Sequence, residues 1–189
     1  MTIKLSESQA RQLLQLARRT IEAHLHKKVD SVTPPADPVY GEEVATFVTL
    51  KIGGQLRGCI GSLEPSGPLW QNVRSNAINA AFHDGRFRPL TEQELASVHI
   101  DISLLTRATV LDYADGDDLA AKLQPGIDGV ILRHGRAGAT FLPQVWEQLP
   151  TPELFLGHLC RKAGLHADCW REDHPRIEVY QVQHFEEQE

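Results

Sequence analysis

Leu13, Ala17, Ile21 and Leu25 recur at four-residue steps in a stretch otherwise rich in Arg, Gln and Glu. Apolar positions at that spacing line one face of a helix, and such a face needs a partner surface. Just upstream, Ser6-Glu7-Ser8-Gln9 has the form of a capping box, with Ser6 able to satisfy the amide of Gln9 and Leu5 placed as a hydrophobic staple. A helix is therefore expected from here to about Lys28, with the basic run His24 to Lys28 as its solvated, dipole-complementing end. Thr33-Pro34-Pro35-Ala36-Asp37-Pro38 has too few backbone donors for regular structure and reads as a stiff extended connection.

Residues 44–52 and 55–60 are β-rich runs separated by Gly53-Gly54, a pair that suits a two-residue type I′ hairpin turn. With Ile52 opposite Gln55, the expected register sets Leu50 against Arg57 and Val48 against Cys59, so that Cys59 sits among aliphatic neighbours. A three-residue loop would instead slip the register by one, exchange the faces and bring Arg57 beside Lys51 and Cys59 beside Thr49 on the polar face. A second helix opens at Ser66-Gly67-Pro68, with Leu69, Val73, Ala77 and Ala80 on one side and Asn72, Asn76, Asn79 and His83 on another. Val98, Ile100, Ile102 and Leu104 alternate cleanly and define a strand.

The second half repeats this pattern in outline. A short helix over 117–123 ends at Pro125-Gly126, and strands follow over 129–132 and 139–142 around a tip at 134–138. A further helix has Thr151 as its cap, Pro152 in its first turn and Gly164 as its stop. The last strand covers 176–185, with its alternation broken near Tyr180. Two hairpin-then-helix units in succession indicate an α+β fold with mainly antiparallel sheets flanked by helices. They form one domain over 1–189 or two closely packed subdomains, about 1–110 and 111–189, with strands exchanged between them.

Composition narrows the function. Hydrophobic residues at 41% and charged residues at 23% fit a globular domain rather than a disordered or fibrous chain. A net charge of -6 argues against a general nucleic-acid surface, which needs clustered Lys and Arg. The sequence shows neither a membrane-spanning run nor a signal-peptide core, so a cytoplasmic protein is expected. The cysteines at 59, 160 and 169 match neither a CxxC pair nor a zinc spacing, and reduced thiols are expected. His158 and Cys160 diverge on their helix and make no metal site.

Candidate chemistry gathers in Leu56-Arg57-Gly58-Cys59-Ile60-Gly61 and in His83-Asp84-Gly85-Arg86-Phe87. Cys59 beside a guanidinium reads either as an activated thiol or as a small core residue. Arg57 on an apolar sheet face requires a carboxylate, carbonyls or a bound anion, and Glu64 and Asp84 are the candidate carboxylates. The loop at 83–88 can hold an acidic ligand, or can be a turn with Asp84 as an Asx-type cap and Phe87 as an anchor.

Four stretches carry a family resemblance: ATFVTLKIGGQLRGCIGSLEP at 45–65, NAINAAFHDGRFRPLT at 76–91, LQPGIDGVILRHGRAGATFLPQVW at 123–146 and FLGHLCRKAGL at 155–165. With these the sequence resembles the AMMECR family, protein A of the AmmeMemoRadiSam system. The resemblance implies two intertwined hairpin-plus-helix repeats and no established reaction or cofactor. It also implies, by gene-neighbourhood association, a pathway shared with Memo-like and radical S-adenosylmethionine proteins. That no nucleic-acid or membrane partner is expected rests instead on the net charge and the lack of a long apolar run. The motif positions carried over are Arg57, Gly58, Cys59, Gly61, Asn76, Asp84, Arg86, Phe87, Pro143 and Gln144. One departure is Gly85, where family members commonly read Asp-Pro-Arg-Phe. Three readings follow: an accessory or substrate-handling protein using Arg57, Asn76, Asp84, Arg86 and Gln144 in a cleft beside the hairpin, a Cys59-dependent enzyme, or a protein–protein adaptor.

Overall fold

The computed structural model describes residues 4–27 and 33–188. The chain divides into two compact units, one comprising Met1–Thr106 with Gln183–Glu189 and the other Arg107–Val182.

In the first unit, helix α1 (Glu7–Leu25) starts at the capping box, Ser6 accepting from the Gln9 amide and the Gln9 side chain accepting from the Ser6 amide. Leu13, Ala17 and Ile21 are fully buried, as the stripe requires. The helix was expected to reach Lys28, which lies outside the described residues. It ends at Leu25 with His26 as C-cap, and Lys27 turns into the left-handed region at φ 53°. Strands β1 (Ala45–Ile52) and β2 (Gln55–Gly61) form the hairpin, with Gly53 and Gly54 at φ 56° and 76°, as a type I′ turn demands. Helix α2 (Leu69–Ile78) continues as a π-turn over Asn79–His83, followed by α3 (Glu92–Leu95) and β3 (Val98–Leu105). The strand order is β2-β1-β3, and the last residues of the final strand run along the far side of β3.

One face of this sheet carries Val48, Leu50, Ile100 and Ile102, which join the α1 stripe and Leu69, Val73 and Ala77 of α2 in a single core. Two residues of the Asn row dock α2 on the start of β1. Asn72 donates to the Val44 carbonyl at 3.1 Å, and Asn76 donates to the Thr46 carbonyl at 3.0 Å and to Thr46 Oγ1 at 2.9 Å. These bonds account for residues that are otherwise poor helix formers.

The second unit holds β4 (Thr109–Val110), α4 (Gly116–Lys122), β5 (Asp128–His134), β6 (Ala137–Phe141), a 3-10 turn (Pro143–Glu147), α5 (Pro152–Lys162) and α6 (Cys169–Glu172). Strand β7 (Arg176–Glu186) begins here; β5 lies between β7 and β6, and β4 also pairs with β7. The unit's core stacks Trp146 on Phe155, with ring centroids 3.8 Å apart. The break in alternation at Tyr180 has a local cause. Its ring lies where a Cβ on Gly129 would sit, and its hydroxyl donates to the Phe141 carbonyl at 3.1 Å.

The expectation of three reduced thiols is corrected here. Cys160 and Cys169 form a disulfide with Cα atoms 6.2 Å apart, and Cys59 is the free cysteine. Gly164, at φ 79°, reverses the chain after α5 and brings Cys169, at the start of α6, back to Cys160. Both partners are fully buried. By loop-closure entropy, a bridge of this short span contributes about 2–3 kcal/mol. Melting of wild type with and without reductant, beside Cys169→Ala, should show reduced wild type and the variant losing comparable stability. Identical melting of all three would show that the bond adds nothing.

Among the described residues no helix is long and apolar enough to cross a membrane.

Candidate functional site

The hairpin turn falls where the sequence places it, but the expected register does not continue past it. Ile52 faces Gln55 and Lys51 faces Leu56; then the pairing shifts, so that Leu50 faces Gly58, Thr49 faces Cys59 and Val48 faces Ile60. Arg57 is the extra residue of a β-bulge, left without a cross-strand partner. A bulge bends its strand and re-aims the side chains beyond it. Cys59 therefore stands beside Thr49, on the face opposite the Val48–Leu50 core, rather than among aliphatic residues. The sequence-level slip that gives this neighbour needed a longer loop. The structure reaches it with the two-glycine turn intact.

The bulge also sends the Arg57 side chain to a carboxylate other than the two expected. Glu94 of α3 receives Arg57 Nε at 2.9 Å on Oε1 and Nη2 at 3.1 Å on Oε2, and Nη2 also donates to the Arg88 carbonyl at 2.9 Å. Neither Glu64 nor Asp84 takes this role. The Arg57 side chain is 13% exposed, and its Nη1 is buried with no hydrogen-bond partner among the described residues. Arg57 holds the Glu94 carboxyl down at about 2 against the resistance of burial, with Thr91 helping.

Asp84 serves the neighbouring residues. Its Oδ2 accepts from the Cys59 amide at 2.9 Å and from Arg86 Nη2 at 2.7 Å, and its Oδ1 accepts from Arg86 Nε at 2.9 Å and from the Arg86 amide at 3.2 Å. The last of these is the Asx turn. The Arg86 guanidinium keeps the Asp84 carboxyl far below the usual range, although burial opposes it. Arg86 Nη2 also donates to the Cys59 carbonyl at 3.1 Å. Because β2 ends the strand order, Asp84 and Arg86 together occupy main-chain groups that an edge strand would otherwise offer to another chain. Phe87 lies under both guanidiniums, 5.9 Å from Arg57 Cζ and 5.5 Å from Arg86 Cζ. Arg86 is nonetheless 57% exposed, so its charge faces solvent beside the half-buried thiol.

Arg57, Cys59, Asp84 and Arg86 thus form one contiguous cluster. Asn76 is occupied by Thr46, as described. Gln144 belongs to the second unit, where its Oε1 is buried and has no hydrogen-bond partner among the described residues. A hollow of about 530 Å³ in the first unit lies elsewhere, lined by Arg11, Leu14, Arg18, Val98, His99 and Glu187 among others.

Sequence reasoning missed the residues beside Cys59 on its new face. Thr49 Oγ1 donates to Cys59 Sγ at 3.2 Å. Thr49 is also the cross-strand partner of Asp101 on β3. Asp101 Oδ2 lies 2.5 Å from Lys51 Nζ and 3.7 Å from His184 Nε2. A polar row from Cys59 through Thr49 and Asp101 to His184 therefore crosses the sheet opposite its apolar core. The available signal was the period-two position of Asp101 within β3, where the residues between the core aliphatics must face the other way.

Comparison with known proteins agrees with this fold. The sequence profile of the AMMECR1 family matches residues 14–185. A protein of Thermofilum pendens is 37% identical over 197 residues, covering 95% of this chain and 89% of that protein. One from Methanothermobacter thermautotrophicus is 36% identical over 189 residues, covering 97% of this chain and 96% of its own. The crystal structure of uncharacterized protein PH0010 from Pyrococcus horikoshii is similar with a TM-score of 0.83 at 34% identity, covering 93% of this chain and 90% of that one. On a match that spans nearly its whole length in sequence and in fold, the chain belongs to the AMMECR1 family.

Proposed function

We propose that this chain is an accessory, substrate-handling protein that meets a small or peptide ligand on the outer face of the β1–β2 ribbon, at the Cys59 thiol and the Arg86 guanidinium. One observation carries the reading: the bulge at Arg57 turns the free thiol away from the core and sets it next to an exposed cation. Arg57 itself is not the anion anchor in this reading: both guanidiniums have a carboxylate partner, Glu94 and Asp84, but the Arg57 side chain is only 13% exposed against 57% for Arg86. Its part is to fix the bulge that aims Cys59. The sequence resemblance to the AmmeMemoRadiSam proteins supports a place beside Memo-like and radical S-adenosylmethionine partners.

Alkylation tests the site directly. With Cys160 and Cys169 bonded, iodoacetamide acting on native, unreduced protein should add one group, on Cys59, located by peptide mass. Anionic iodoacetate should gain relative to iodoacetamide when compared with free glutathione, by about twofold or more at low salt, because the guanidinium attracts it. Labelling of Cys59 no faster than global unfolding would sink the proposal. That result would favour an adaptor, a reading supported by Leu56, which is 45% exposed near the ribbon tip.

A further inference from the structure

We propose that Asp101, His184 and Glu186 form a site for a first-row divalent metal ion in the first unit, with the Lys51 ammonium as the resident competitor for the same carboxylate. One ligand atom from each of the three residues lies within 4.8 Å of the others. A single ion bonded at about 2.0–2.2 Å needs donor separations of roughly 3–4 Å. His184 and Glu186 are exposed, so small rotamer changes close that difference, while Asp101 is the fixed member.

A second, independent observation points to a cation. The Asp101 side chain is 6% exposed, yet its Oδ1 has no hydrogen-bond partner among the described residues. Leaving a buried carboxylate oxygen unpaired is costly. Lys51 and His184 both approach the other oxygen, Oδ2. A metal ion gripped by both Asp101 oxygens would satisfy Oδ1 while keeping His184, which approaches Oδ2, and would also use Glu186, which an ordinary Asp–Lys pair has no need of. The charges agree. Two carboxylates against one ammonium leave a net negative site, and Lys51, with its side chain 36% exposed, has a path into solvent when an ion enters.

The donor set selects the metal class. One imidazole and two carboxylates suit manganese, iron or zinc, whereas magnesium and calcium favour all-oxygen shells. The site lies two strands from Cys59, with Thr49 between, and its existence does not depend on the ligand reading given above.

Manganese(II) alone is the probe, titrated against the whole chain in a Cys59→Ser background to exclude thiolate binding and followed by loss of the free-ion paramagnetic resonance signal. One equivalent should bind. His184→Ala and Glu186→Gln, both at exposed positions, should each weaken binding by about tenfold or more, as removal of a ligand does, and Lys51→Met should tighten it by a comparable factor. The proposal is overturned if neither the parent nor Lys51→Met binds manganese at millimolar concentration. It is equally overturned if binding survives unchanged in both His184→Ala and Glu186→Gln.

Discussion

Replacing Gly58 by alanine should destabilise the first unit by about 3 kcal/mol or more, the upper range for forcing extra atoms into a packed site. A Cβ at this position would lie 2.1 Å from the carbonyl oxygen of Ala80, in the π-turn after α2. That neighbour is main chain and cannot swing aside, so either β2 or the π-turn must move. Movement of β2 would also disturb Cys59, the next residue, and its bonds to Asp84 and Arg86. Gly85 supplies the control, since a Cβ there meets nothing within 4 Å. Gly85→Ala should stay within about 0.5 kcal/mol of wild type. Urea denaturation of the three proteins reads the difference, and a Gly58→Ala midpoint equal to that of Gly85→Ala would refute the close-approach explanation.

Glu94→Gln should cost about 2–3 kcal/mol at neutral pH, because it removes the carboxylate that balances a largely buried guanidinium while keeping the side chain's shape. The figure is set below that for a fully buried pair because the Glu94 side chain is 33% exposed. The effect has a defined pH window. The Glu94 carboxyl sits at about 2 in the folded chain against an ordinary 4.5, so the folded state binds its proton more weakly than the unfolded state does. The stabilisation is fully present above 4.5 and is lost as pH falls through about 2. Asp84, lowered by Arg86, adds an acid-labile contribution of the same sign. The stability gap between wild type and Glu94→Gln should therefore shrink steadily below pH 4.5. A gap that is the same at pH 7 and pH 3 would show that the Arg57–Glu94 pair is not its source.

Much of the fold was legible because its signals are local. The Ser6–Gln9 capping box, the Gly53-Gly54 turn, the alternation of β3 and the Thr151 cap each depend on residues within about four positions of one another, and all are found. The motif cluster was partly legible. Arg57, Cys59, Asp84 and Arg86 do come together, but the partner of Arg57 is Glu94, on a helix of one turn whose own capping box also uses that carboxylate.

The sequence by itself determined the longer helices and strands, where the hairpin turns, and which aliphatic residues are available for the first core; the short α3, β4 and α6 were not among its expectations. Only the tertiary structure decided which face Cys59 occupies, that Cys160 meets Cys169, and that Asp101 stands beside His184. The physical reason is that propensity, capping and turn chemistry act along the chain. Register and side-chain meetings act across it, where one bulged residue reverses a face and partners far apart in sequence become neighbours through strand pairing.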